Sequence, residues 1–108
     1  MPHLSVKARG AGEGPVLVLT GELDIATIDQ LRAAVGEVLS AAGRSLELDL
    51  AEITFLDSSG LGVLVELRNL LRERGGSLTI GAASRPAVRV IEMAGLSAAL
   101  GLAGPPPG

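Results

Sequence analysis

The chain predicts a mixed α/β domain, a four- to five-stranded sheet with helices mainly on one face. Three observations carry this. Strand-like and helix-periodic segments alternate along the sequence, as in parallel α/β units. A short glycine turn separates the first two apolar runs, so one antiparallel hairpin precedes the parallel part. Finally, Leu46, Leu48 and Leu50 alternate with Glu47 and Asp49, and Leu78 and Ile80 alternate with Ser77 and Thr79. A sheet buried on both faces does not readily place charges in that register.

Taken in order, His3–Ala8 is the first strand, with Leu4, Val6 and Ala8 on one side. Ala11-Gly12-Glu13-Gly14 is the turn. Pro15–Thr20 is a central strand, apolar on both faces from Val16 to Leu19. Gly21-Glu22-Leu23-Asp24 reads as a loop. Thr27 and Gln30 have the spacing of a capping box. The first helix follows, with Ile28, Leu31, Val35, Val38 and Leu39 at helical spacing, and Gly43 ends it. Leu46–Leu50 is the third strand. Six residues, Asp57-Ser58-Ser59-Gly60-Leu61-Gly62, join it to a second helix running through Arg74. Ser77–Ala82 is the fourth strand. Pro86 suits the first turn of a third helix, with the stripe Ala87, Val88, Ile91 and Ala94 and with Gly95 at its end. Ala98–Leu102 reads as a weak strand or a short helix. One domain therefore spans 1–103, and 104–108 is a Pro/Gly tail with no reason to fold.

Composition excludes several functions. The chain has 108 residues, 47% of them hydrophobic, a net charge of −3, no cysteine and Phe55 as its single aromatic. No basic patch or stacking platform for nucleic acid stands out. There is no thiolate metal site or disulfide framework. No apolar run approaches a membrane span, and Met1-Pro2-His3 does not begin a signal peptide. The expected location is the cytoplasm, with no cofactor.

Right-handed crossovers bring three loops to one sheet edge: Gly21–Asp24, Phe55–Ser59 and Ala83–Arg85. Sites favour that edge of open sheets. The junction at Asp57–Gly62 is its most suggestive part. Unpaired N–H groups and the positive end of the helix dipole would accommodate a phosphate on a serine there. Catalysis by that serine is a poor reading. A serine nucleophile needs an adjacent base, the one histidine is His3, and Gly-x-Ser-x-Gly and phosphate-loop patterns are absent.

Thr20-Gly21-Glu22-Leu23-Asp24, Asp49-Leu50 and Phe55-Leu56-Asp57-Ser58-Ser59-Gly60-Leu61-Gly62-Val63-Leu64 strongly resemble STAS domains of bacterial anti-sigma factor antagonists. Gly75-Gly76 and Met93-Ala94-Gly95-Leu96 fall where that family has its Gly-Gly turn and Met-x-Gly-Leu. The resemblance implies a STAS-type sheet. It implies a non-enzymatic protein that binds an anti-sigma factor serine kinase and releases a sigma factor. Ser58 is the implied phosphorylation site, phosphorylation ends binding, and a metal-dependent serine phosphatase restores it. The family usually has a further helix after the last strand, where this chain has its Pro/Gly tail. Related domains also serve as accessory subunits of lipid-transport or stress-signalling complexes, which is the alternative.

Around Ser58 the candidate partner-binding residues are Asp24, Asp57, Ser59, Leu61, Gly62, Val65, Arg68 and Asn69. Asp57 caps the helix or stays solvated, or else it orients the Ser58 hydroxyl. Ser59 caps or packs. Gly60 and Gly62 allow close backbone approach. At 100° per residue Gly60, Val63, Leu64, Leu67, Leu70 and Leu71 form the core stripe. Leu61 and Val65 fall off it, beside Ser58, Gly62, Arg68 and Asn69, and suggest a small exposed docking patch. The Asp24 carboxylate is expected to face the kinase. Arg85 starts the third helix or meets a phosphate on Ser58.

Overall fold

The computed structural model describes residues 3–9, 14–42 and 45–102. Its elements are β1 (Leu4–Arg9), β2 (Val16–Leu23), α1 (Ile28–Ala42), β3 (Ser45–Leu56), α2 (Ser58–Glu73), β4 (Ser77–Ala83) and α3 (Arg85–Met93). The expected turn residues 11–13, Gly43 and the tail lie outside the described residues.

The sheet is mixed, in the order β1-β2-β3-β4. β1 and β2 pair antiparallel, while β2–β3 and β3–β4 pair parallel. The period-two alternation dictates which side is covered. Leu17, Leu19, Leu46, Leu48, Leu50, Leu78 and Ile80 are buried in one cluster with Leu31 and Val35 of α1, Leu64, Leu67 and Leu71 of α2, and Ile91 of α3. Each fully buried aliphatic side chain contributes about 1.5–3 kcal/mol of transfer free energy. Glu47 and Asp49 lie on the opposite side, half-buried.

Five expectations need correction. Gly21–Leu23 is strand rather than loop. Gly21 pairs with Leu4, the Glu22 N–H donates to the His3 carbonyl at 2.8 Å, and Leu23 is buried. Gly21 suits this turn of the strand, with φ of +117° and the His3 oxygen 2.2 Å from where a Cβ would sit. β3 runs six residues past Leu50. Ladder shifts near Val18, Gly21 and Leu48 leave Ala51 and Glu52 both exposed, which breaks the period-two signal. The capping box does not form, because the Gln30 amide reaches across to donate to the Leu4 carbonyl. Ala94 is exposed and caps α3 instead of continuing its buried stripe; Gly95 follows at φ +73°. Ser97–Gly101 is neither strand nor helix but a hydrogen-bonded turn. It buries Leu100, whose carbonyl accepts from the Ile80 N–H at 2.9 Å and so occupies part of the outer edge of β4.

Candidate functional site: three helix starts on one sheet edge

β2, β3 and β4 each run toward this edge and a helix follows each, one residue after β3 and β4 and after the turn 24–27 for β2. The ends of β2 and β3 are tied together, and the end of β4 is tied to β3 further back along that strand. Leu23 pairs with Leu56, the Asp57 N–H donates to the Leu23 carbonyl at 3.4 Å, and the Ser84 N–H donates to the Leu50 carbonyl at 3.0 Å. Each start carries a hydroxyl residue, and the three hydroxyls are used differently.

At α1 the Thr27 hydroxyl is buried. It accepts from the Asp24 N–H at 3.0 Å and donates to the Glu22 carbonyl at 2.9 Å. Asp24 is only 8% exposed, and its Oδ1 accepts from the Ala26 N–H at 2.9 Å. The expectation that this carboxylate is presented outward is therefore corrected: it shapes its own turn. What the turn presents instead is Ile25, 71% exposed. At α3 the Ser84 hydroxyl caps the helix, accepting from the Ala87 N–H at 3.3 Å.

At α2 the acid does the capping. Asp57 holds an extended backbone, and its Oδ1 accepts from the Gly60 N–H at 2.9 Å. Ser58, the next residue, is exposed, and its hydroxyl has no hydrogen-bond partner among the described residues. It thus sits at the positive end of α2 with no structural task. Its hydroxyl is not hydrogen-bonded to a base among the described residues, as a serine nucleophile's would be. Ser59 is half-buried.

Gly60 fixes where this start lies. It is buried, and a Cβ would sit 2.4 Å from the Leu23 carbonyl oxygen and 2.6 Å from Leu56 Cδ1. Gly62 is different: it is exposed, with nothing within 4 Å of a Cβ. The close approach expected of both glycines applies to Gly60 alone. Leu61 also differs from its expected exposure. It is half-buried and packs against the core, while Val65 is half-buried as well. Leu70 of the expected core stripe is only partly buried. Arg68 is tied down, its Nε donating to the Ala99 carbonyl at 2.8 Å and its Nη1 to Asn69 Oδ1 at 3.1 Å; Asn69 is exposed. The patch around Ser58 is therefore partly sunk and framed by polar groups.

Sequence reasoning missed Ile25 and the surroundings of Phe55. Phe55 is 46% exposed. With Thr54, Leu56, Arg85, Pro86, Arg89 and Val90 it lines an open depression of about 420 Å³. No ion pair holds Arg85 or Arg89 among the described residues. The usable signal was the lone aromatic beside the junction, placed where β3 alternation had already failed. Among the described residues no cluster of His, Cys, Asp and Glu could hold a metal ion, and no helix is long and apolar enough to cross a membrane.

A mixed four-stranded sheet with three covering helices and a serine-bearing junction at its edge defines a small α/β domain of the STAS class. Residues 6–103 match the family described as "Mlab, STAS domain", and the chain belongs to that family. An anti-sigma F factor antagonist of Paenibacillus polymyxa is 33% identical over 82 residues, spanning 75% of this chain and 70% of that protein. An anti-sigma-B factor antagonist of Listeria monocytogenes is 32% identical over 94 residues, spanning 87% and 82%. The crystal structure of an anti-sigma factor antagonist from Mycobacterium paratuberculosis superposes with a TM-score of 0.78 at 26% identity, covering 91% of this chain and 83% of that one.

Proposed function

We propose that this chain is an anti-sigma factor antagonist whose binding is switched by phosphorylation of Ser58. It docks on an anti-sigma factor that is also a serine kinase, and the sigma factor is released. The kinase then modifies Ser58 and the complex dissociates. A metal-dependent serine phosphatase reverses the modification. The chain itself is a binding protein and supplies no catalysis.

One observation carries this reading. Of the hydroxyls that open the three helices, Ser58 is exposed and unbonded, because Asp57 does the capping in its place. A phosphate there adds about −1.5 to −2 charge at neutral pH. The free protein tolerates it at the helix N-terminus. In a docked interface the same charge would be desolvated and would repel nearby carboxylates, so binding ends while the fold stays intact. The proposed docking surface is Asp57, Ser59, Leu61, Gly62, Val65, Arg68 and Asn69, together with the turn that Asp24 shapes. The names of the relatives favour this reading over an accessory-subunit role.

The test uses purified anti-sigma factor kinases of the source organism with ATP. Unmodified chain should bind one of them and gain one phosphate, located at Ser58 by mass spectrometry. Ser58→Ala should stay bound and unmodified, and Ser58→Asp should bind at least tenfold more weakly. Stoichiometric phosphorylation of Ser58→Ala would remove Ser58 from the switch, and no binding to any such kinase would remove the function.

A further inference from the structure

The side of the sheet turned away from the helices carries a pattern that the proposed function does not use. In register, Arg9 pairs with Val16 and Val16 with Glu47; Lys7 pairs with Val18 and Val18 with Asp49. Each row across β1, β2 and β3 therefore reads cation, valine, anion. Lys7 and Arg9 are exposed; Val16, Val18, Glu47 and Asp49 are half-buried. Among the described residues the one internal ion pair on this patch, Arg9–Asp49, is long at 3.4 Å. Glu47 leans toward β4, its carboxylate in the space a side chain at Gly81 would fill. The C-terminal turn reaches this side at Thr79 of β4, where Gly101 approaches, while Lys7 and Arg9 at the β1 side of the patch are exposed.

We propose that this open face is a self-complementary docking surface for a second copy of the chain. A two-fold axis parallel to the strands and lying over β2 places β1 of each copy over β3 of the other. Arg9 then faces Glu47 of the second copy, and Lys7 faces Asp49. Val16 and Val18 meet their own counterparts at the centre. Aligned sheets pack about 10 Å apart, a gap that opposed long side chains fill. Two-fold pairing is the commonest symmetry, and it requires a surface that complements itself. Matched charges fix register and partner, while two valines give a small apolar centre. The patch is small, so the dimer is weak, at the low end of interface sizes. It leaves the Ser58 edge uncovered.

Sedimentation velocity of the full chain, from micromolar to millimolar concentration, tests this. The wild-type chain should shift from monomer toward dimer, and molar salt should suppress the shift by shortening the screening length from about 10 Å to about 3 Å. A Lys7→Glu/Arg9→Glu copy has acids on both strands, and a Glu47→Lys/Asp49→Lys copy has cations on both. Each alone should stay monomeric, and an equimolar mixture should form a heterodimer at least tenfold more tightly than either self-associates. Val18→Lys places like charges on the axis and should abolish dimer while leaving the melting temperature near wild type. A wild-type chain monomeric at every concentration overturns the proposal. So does a Val18→Lys chain that dimerises normally, or a mixture with no preference for the heterodimer.

Discussion

The starts of α1 and α2 are built from the same parts: a strand end, an aspartate, a hydroxyl residue and a following helix. They end in opposite states. At α1 the hydroxyl of Thr27 sits inside the turn, bonded to Asp24 and Glu22, and Asp24 is buried with it. At α2 Asp57 alone satisfies the helix, and Ser58 is left exposed and unbonded. The difference is one of position. Thr27 lies three residues after its aspartate, where the turn folds its side chain back onto the strand end. Ser58 lies directly after its aspartate, where the first helical turn points away from the carboxylate. A hydroxyl near an acid at a helix start is thus no sign of function until its bonds have been followed.

Replacing Thr27 by valine should break the first arrangement most severely. It would leave the Asp24 N–H unpaired in a buried site, at about 1–3 kcal/mol, and would take one donor from the half-buried Glu22 carbonyl. Ser58→Ala should change stability by no more than about 0.5 kcal/mol. Urea melts of the two variants measure the comparison directly, and equal losses would show that Ser58 has a structural task after all. Gly60→Ala comes next. Its Cβ meets the Leu23 backbone, which cannot swing aside as a side chain can. We expect a loss of about 1–3 kcal/mol, typical of overpacking, and a displaced Ser58. Gly62→Ala, with open space around it, should be neutral or slightly stabilising through better helix propensity.

Much of this contrast was legible in the sequence. Alternation of aliphatic with charged residues in β3 and with hydroxyl residues in β4 placed both strands and revealed the uncovered face, and helical spacing placed the buried side of α2. The Asp57–Gly62 junction stood out from its residues. What escaped was set by partners that the local pattern does not show. Gly21–Leu23 is strand because His3 and Leu4 pair with it, contacts absent from the local pattern. β3 continues past Leu50 through ladder shifts that erase alternation. Asp24 is buried by a hydroxyl three residues on, and Gln30 abandons the cap for a carbonyl in β1. Leu61 lies off the stripe of an isolated helix, yet it packs against the core.

That last point divides two residues that sequence reasoning treated alike. Leu61→Glu should cost roughly 1 kcal/mol, about 4–8 °C in melting temperature for a domain of this size, because part of its packing is lost. Val65→Glu should cost less, since Val65 is not among the side chains packed on the core. Both should weaken binding to the proposed anti-sigma factor kinase. Equal melting temperatures would put Leu61 back on the surface; unchanged binding for Val65→Glu would shrink the docking surface to the junction itself.

The smallest effect lies behind the two helix starts, where α1 and α2 are clasped by Arg32. Its Nε donates to Glu66 at 2.8 Å, and its Nη1 donates to Asp29 at 2.6 Å. Hydrogen bonding from Arg32 holds the Glu66 carboxyl below its ordinary pKa, and the bonds that Arg32 donates to Glu66 and Asp29 raise that of its guanidinium, which stays charged throughout. Because the folded-state value is depressed, the unfolded chain binds more protons as Glu66 titrates. The contribution of the pair is therefore fully present above the ordinary carboxylate pKa, and it is lost as pH falls through the lower folded-state value. The side chains of Arg32 and Glu66 are 40% and 49% exposed, so solvent and salt screen the contact. The measurement is a difference: urea melts of wild type and Glu66→Gln from neutral pH down to strongly acidic pH. The small wild-type advantage at neutral pH should shrink to nothing across that window and be reduced throughout by molar salt. A difference that does not change with pH would mean that Glu66 stabilises by packing rather than by its charge, and that the clasp between the helices is not electrostatic.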